Sequence, residues 1–154
     1  EGNLYVPCQD SYCYRIHAAT GKLSGAFLTG KSVETPGAVD DRVAILYLLA
    51  QGHVYGFHLS SGKLEAYGNY EGEAIGTPWT MAGHVVFLNR RGEETLLVVA
   101  SRESGKRGIE FKTTYKISGK GVESSFLGKG RLMLRTDRRL ELVSLDEMGI
   151  PLEK

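Results

Sequence analysis

The stretch Tyr55-Gly-Phe-His-Leu-Ser-Ser-Gly-Lys-Leu64 decides the fold, because the chain says nearly the same thing earlier, at Tyr14-Arg-Ile-His-Ala-Ala-Thr-Gly-Lys-Leu23. An aromatic residue, a His three positions on, then a hydroxyl residue followed by Gly-Lys-Leu recur at the same internal spacing. A self-similar period of roughly 40 residues with short apolar runs points to a repeat architecture whose unit is a propeller blade.

Working outward from the two copies, short strands separated by turn residues fill the chain. Leu4 to Cys8, Tyr12 to Ala18 and Leu23 to Leu28 read as three strands joined by turns at Asp10-Ser11 and Thr20-Gly21. The next unit is more complete: a short strand around Glu34-Thr-Pro36, the apolar run Val43 to Ala50, His53 to Leu59, and Leu64 to Gly68 after the Ser61-Gly62 turn. A third copy repeats Thr35-Pro36 as Thr77-Pro78 and Val43-Ala-Ile-Leu46 as Val85-Val-Phe-Leu88, with Ser104-Gly105 where Ser61-Gly62 stood. A fourth opens near Val122 and runs through Gly130–Leu134 and Leu140–Leu145. Lettering the strands of a four-stranded blade a to d gives b-c-d, a-b-c-d, a-b-c-d, a-b-c. The expectation is an all-β chain, a β-propeller of four-stranded antiparallel blades with about three and a half present, at approximately 1–29, 30–70, 71–117 and 118–154. A ring needs about four full blades, so we read the chain as part of a larger propeller, completed by further sequence, a second chain or a self-associated copy. The opening Glu1-Gly-Asn-Leu-Tyr-Val6 shows no signal peptide and already reads as the approach to a strand; either a leader has been removed or, as the repeat count favours, the chain is part of a longer polypeptide.

Composition fits this reading. Gly is high at 20 residues while Pro is only 4, which suits many tight turns better than disorder. The longest apolar run, Val43 to Ala50, is too short to span a bilayer and the right length for a buried strand. The net charge of +1 names no partner, but residues 1–77 hold 5 Lys/Arg against 8 Asp/Glu and residues 78–154 hold 14 against 10. The basic residues fall on turns and alternate strand positions, as in Arg131-Leu-Met-Leu-Arg135, and read as solvated or edge-guarding charges; the weaker alternative is an anionic partner. A nucleic-acid surface would interleave aromatic with basic residues, and the basic half offers little beyond Phe111 and Tyr115.

The two cysteines, Cys8 and Cys13, flank the first turn. With a two-residue Asp10-Ser11 turn they would face each other across the hairpin, where a disulfide is feasible; two free thiols are equally open. Their spacing lacks the further ligands of a zinc site. His17 and His58 occupy equivalent repeat positions one blade apart and read as caps of the strand-to-turn corner rather than as ligands. His53 and His84 are placed in turns and carry no signal. Asp40-Asp41 reads as a turn. Ser60-Ser61 and Ser124-Ser125 show no base in a nucleophile arrangement, and the Gly-Lys pairs lack the Gly-rich run of a phosphate loop.

The stretch from Leu4 to Lys22 resembles the PQQ-like (quinoprotein alcohol dehydrogenase-like) propeller repeat, with its apolar-Tyr-Val, turn, aromatic strand and Thr-Gly-Lys; Val54 to Lys63 is similar to its second half. Where that family carries Asp at the end of the third strand, this chain has His17 and His58, then Ser101 and Leu145. The family's docking Trp, three residues after the Lys, falls at Gly25 and Ala66, so blade packing must use other side chains.

A quinoprotein dehydrogenase needs a catalytic Asp, an Arg, a calcium site and usually adjacent cysteines, and this sequence shows neither a contiguous cysteine pair nor a dense oxygen-ligand loop. No catalytic, cofactor-binding or metal-ligating residue is assigned and no cofactor is expected; the assigned positions are the repeat turns Thr20, Gly21, Ser61, Gly62, Ser104 and Gly105 and the pair Cys8 and Cys13. The resemblance implies a non-catalytic scaffold for protein–protein binding, its partner another protein or the remaining blades, in a periplasmic or extracytoplasmic setting. The alternative is a piece of a PQQ-dependent oxidoreductase whose catalytic blades lie elsewhere.

Overall fold

The computed structural model describes residues 2–81, 83–102, 106–120, 122–128 and 130–146. Among them the regular structure is all strand. Sheet I holds β1 (Asn3–Pro7), β2 (Tyr12–His17) and β3 (Leu23–Leu28). Sheet II holds β4 (Ala38–Asp40), β5 (Ile45–Ala50), β6 (His53–His58) and β7 (Leu64–Asn69). Sheet III holds β8 (Glu73–Met81), β9 (His84–Arg91), β10 (Glu94–Arg102) and β11 (Ile109–Ile117), and sheet IV holds β12 (Glu123–Gly128), β13 (Arg131–Arg135) and β14 (Leu140–Ser144). Every sheet is an antiparallel meander in chain order. The strand content is therefore b-c-d, a-b-c-d, a-b-c-d, a-b-c, as the repeat predicts.

The sheets pack face to face in sequence, and the core is three inter-sheet layers. Cys13, Phe27 and Val33 meet Leu46, Leu48, Tyr55 and Phe57 between I and II. Ile45, Tyr47 and Val54 meet Val85, Phe87 and Val98 between II and III. Val86, Leu88, Leu97 and Val99 meet Leu132, Leu134 and Val143 between III and IV. Alternate residues of β5 thus serve two layers, and Ile45-Leu-Tyr-Leu-Leu-Ala50 is buried along its whole length. A strand covered on both faces has no reason to alternate polar with apolar. Each large apolar side chain so buried contributes about 1.5–3 kcal/mol. The first strands of successive sheets also touch, β4 with β8 and β8 with β12, and the Thr80 hydroxyl donates to the Val39 carbonyl at 2.6 Å.

The repeat turn is one corner built twice. The His17 N–H donates to the Lys22 carbonyl at 2.9 Å and the Gly21 N–H to the His17 carbonyl at 2.8 Å; His58 with Lys63 and Gly62 with His58 reproduce both bonds at 2.9 Å. Gly21 and Gly62 have φ of +65° and +70°, where a Cβ would crowd the following carbonyl. Ser104 and Gly105 lie outside the described residues.

Three expectations change. The first hairpin pairs Pro7 with Cys13, not Cys8. The Cys8 N–H bonds the Tyr12 carbonyl at 2.8 Å, leaving Gln9-Asp10-Ser11 as a three-residue loop with Ser11 at φ +75°; both thiols are free. The second blade's first strand is Ala38–Asp40 rather than a strand around Glu34-Thr-Pro36, since Pro36 lacks a donor. Its second begins at Ile45, not Val43, because the Asp40 carboxylate takes the Arg42 N–H at 3.2 Å and Ala44 sits at φ +52°, holding the chain in a turn. The equivalent of Val86 in β9 is consequently Ile45 in β5, judged by their hairpin pairing, a one-residue shift from the sequence match.

Arg15 ties sheet I to sheet II. It lies opposite Gly25, and its guanidinium is 3.1 Å from where a Cβ on Gly25 would stand. From there it donates to the Ser24 carbonyl at 2.8 Å and crosses to sheet II to reach the Leu59 carbonyl at 2.5 Å.

Two substitutions test this construction by urea denaturation. Gly62→Ala should cost about 1–2 kcal/mol, the strain of a left-handed non-glycine residue. Arg15→Met keeps the stem but loses the charged donors, and should cost about 1–3 kcal/mol; an unchanged midpoint for either would remove its assigned role.

Candidate functional site

The corner histidines come first, because they stand where titratable groups repeat. His17 Nδ1 lies 3.1 Å from the Thr20 hydroxyl, and His58 Nδ1 lies 3.1 Å from the Ser60 hydroxyl and 3.4 Å from the Ser61 N–H. Ser60 therefore does have an imidazole beside it, contrary to the reading from sequence. The Ser61 N–H donates to that ring nitrogen, which makes Nδ1 the acceptor for the Ser60 hydroxyl as well. At the equivalent corner of sheet I the hydroxyl partner is three residues on, at Thr20, rather than two. What the two corners share is an imidazole bonded back into its own turn, the arrangement of a turn cap.

His53 and His84 are the first residues of β6 and β9 rather than turn residues. His53 Nδ1 meets Asn69 Oδ1 at 2.7 Å and the Tyr67 hydroxyl at 2.8 Å, and its ring stacks on Tyr67 with centroids 5.7 Å apart. Tyr55 closes the cluster edge-on to Tyr67 at 5.3 Å. Sequence reading missed it because Tyr67 and Asn69 come from β7, opposite β6.

Two clefts lie beside the turns. One, of about 310 Å³, is lined by Ser32, Glu34, Thr35, Gln51, Tyr70 and Glu73. The Tyr70 hydroxyl is buried with no partner, its ring packs on Phe87 at 5.0 Å, and burial pushes its pKa up to about 12. Glu73 is turned to Arg90 at 2.6 Å. The other, of about 200 Å³, includes Asp40, Asp41, Arg42 and Thr80, with one buried Asp40 carboxylate oxygen lacking a partner. No group of three or more His, Cys, Asp or Glu that could hold a metal occurs among the described residues, and no helix among them is long and apolar enough to cross a membrane.

A second kind of feature is a sheet face. The pairings Leu4–Ile16, Val6–Tyr14, Ile16–Leu23, Tyr14–Ala26 and Tyr12–Leu28 put eight apolar or aromatic side chains on the side of sheet I turned away from sheet II. Leu4 is 55% exposed, Val6 43% and Leu28 56%. At the other end of the arc, Met133, Leu140 and Leu142 occupy the outer face of sheet IV, with Leu140 65% exposed. Together these side chains form an exposed apolar face at each end of the arc.

Compared with known proteins, the sequence matches no protein-family profile and no curated protein. The fold has many structural counterparts. The chain is similar to BamB from Moraxella catarrhalis (TM-score 0.71, 7% identity, 93% of this chain and 43% of that one). It is similar to a chain of the mitotic checkpoint complex (0.74, 11%, 92% and 45%) and to the β-propeller domain of Cps50 (Swd1) from Myceliophteria thermophila (0.67, 13%, 95% and 49%). At such identities the likeness establishes the fold: a β-propeller arc. The chain spans less than half the length of each of these propeller chains.

The thiols give a direct check. Cys13 is fully buried and its burial pushes the pKa up to about 12, whereas Cys8 is half-buried. A thiol reagent at pH 8 should label Cys8 in the native protein and Cys13 only in denaturant; no labelling in either state would establish the disulfide instead. Cys13 and Tyr70 both bind their protons more tightly folded than unfolded, from ordinary values of 9.0 and 10.0 to about 12. Their contribution to stability is therefore complete below pH 9 and is lost as pH rises toward 12, and the urea midpoint should fall between pH 8 and pH 11.

Proposed function

We propose that this chain is a non-catalytic scaffold of PQQ-like repeats, part of a larger propeller, whose work is protein–protein binding. The observation that carries the reading is the outer face of sheet I: eight apolar or aromatic side chains from three strands, backed by a packed core. A rigid, preformed apolar surface binds with little ordering cost. The Thr-Gly-Lys and Ser-Gly-Lys corners support the PQQ-like repeat, and BamB, among the structural counterparts, is a protein of that repeat type. The two corner imidazoles are engaged with neighbouring hydroxyl groups, as a structural role requires.

The competing oxidoreductase reading separates cleanly. Titrating the chain with PQQ and Ca²⁺ should leave its absorbance, thermal midpoint and dye-linked alcohol oxidation unchanged, and a saturable change in any of the three would overturn the scaffold. A photoreactive side chain introduced at Leu4 should form a covalent adduct with protein. Quenching by solvent alone would contradict the binding role.

A further inference from the structure

The two outward faces of the arc are the two halves of a single junction that the chain already makes three times within itself. Sheet II receives sheet I through Leu46, Leu48, Tyr55 and Phe57, paired as Leu46–Phe57 and Leu48–Tyr55. The matching pairs in sheet I are Leu4–Ile16 and Val6–Tyr14. Leu46 and Leu48 are fully buried, while Leu4 and Val6 at the same positions are open. Sheet I is thus shaped to receive a sheet as sheet II does. The presenting half is also repeated. Sheet I presents Cys13 and Arg15 to sheet II, and sheet II presents Val54 and Gly56 toward sheet III, at positions fixed by the β6 hairpin. Counted from the β13–β14 hairpin, where Arg135 pairs with Leu140, the same positions in sheet IV are Leu140 and Leu142, with Met133 opposite Leu142. Arg131 and Arg135 flank this apolar centre, and Arg135 pairs with Glu123 at 3.5 Å. An apolar centre within a polar rim is how protein interfaces are built.

We propose that the occupant of the sheet I face is a second copy of this chain, docking the outer face of its sheet IV there, head to tail. The reciprocal contact closes the pair: each chain supplies four sheets, and a single arc spans 43–49% of the propeller chains it resembles, so two arcs make one ring's worth. A head-to-tail junction either closes into a ring or runs on into a filament, and the arc's curvature, matched to propellers at TM-scores of 0.67–0.74, favours closure. This inference rests on the scaffold reading and names its partner.

Light scattering with size exclusion at tens of micromolar decides it. The 154-residue chain should run at twice its own mass. Leu142→Glu and Ile16→Glu, each on one of the two open faces, should each break the closed pair, while circular dichroism and the urea midpoint of each variant report that the arc itself is folded. Mixing the two variants should restore a two-chain species, since one chain keeps an intact sheet I face and the other an intact sheet IV face. A single-mass wild type, an assembly that keeps growing, or a pair indifferent to Leu142→Glu would overturn the proposal. A monomer that still forms a protein adduct from Leu4 would overturn only the second copy; a monomer without one would remove the scaffold as well.

Discussion

Face-to-face packing of sheets, each needing cover on both sides, is the constraint on which this molecule depends. A four-stranded sheet of six-residue strands has no interior of its own; its stability comes from what lies against it. Sheets II and III meet that need twice over. Strand β5 sends Ile45, Tyr47 and Leu49 to one neighbour and Leu46, Leu48 and Ala50 to the other, and β9 does the same with Val85 and Phe87 against Val86 and Leu88. The cost of the design appears at the ends, where sheets I and IV are covered once and leave leucines in solvent.

Consecutive sheets grip one another through different side chains at each junction. Between I and II the grip is a glycine on β3 and an arginine on β2, directly across the strand pair. The missing side chain at Gly25 leaves the room into which the guanidinium folds, and from there the guanidinium reaches the Leu59 carbonyl oxygen. Between II and III the same place is closed differently: Gly56 lies so near Ala66 and the Tyr47 ring that a Cβ would come within 2.9 Å of the one and 3.3 Å of the other. Each junction is filled by whichever neighbours supply volume, so the packing residue varies from one junction to the next.

That difference explains what the sequence discloses and what it hides. Turn chemistry is local, so Thr20-Gly21 and Ser61-Gly62 announce the corners, and through them the strand count. The histidines at the third-strand ends were legible as caps for the same reason. Left-handed backbone on residues other than glycine is not announced: Ser11 and Ala44, at φ +75° and +52°, lengthen the first hairpin loop and delay β5, which moved Cys8 off Cys13 and Val43 out of its strand. Contacts between strands also escape a linear reading. Arg15 with Leu59, and His53 with Tyr67 and Asn69, join residues whose meeting depends on register. The open face of sheet I was in plain view as Leu4, Val6, Tyr12, Tyr14 and Ile16, but apolar residues on an alternating pattern look like core until the packing of the sheet is seen.

Magnitudes separate the clefts from the open faces. Asp40 and Tyr70 each bring to a cleft a buried polar atom without a partner, and each can return about 1–3 kcal/mol when satisfied, which one or two water molecules accomplish. Covering Leu4, Val6, Leu23 and Leu28 on one face, and Leu140 and Leu142 on the other, returns about 1 kcal/mol or more apiece, because each is already part-covered. Only a surface as broad as a sheet can cover them together, and only burial on that scale competes with the roughly 4–15 kcal/mol that association loses in freedom of motion.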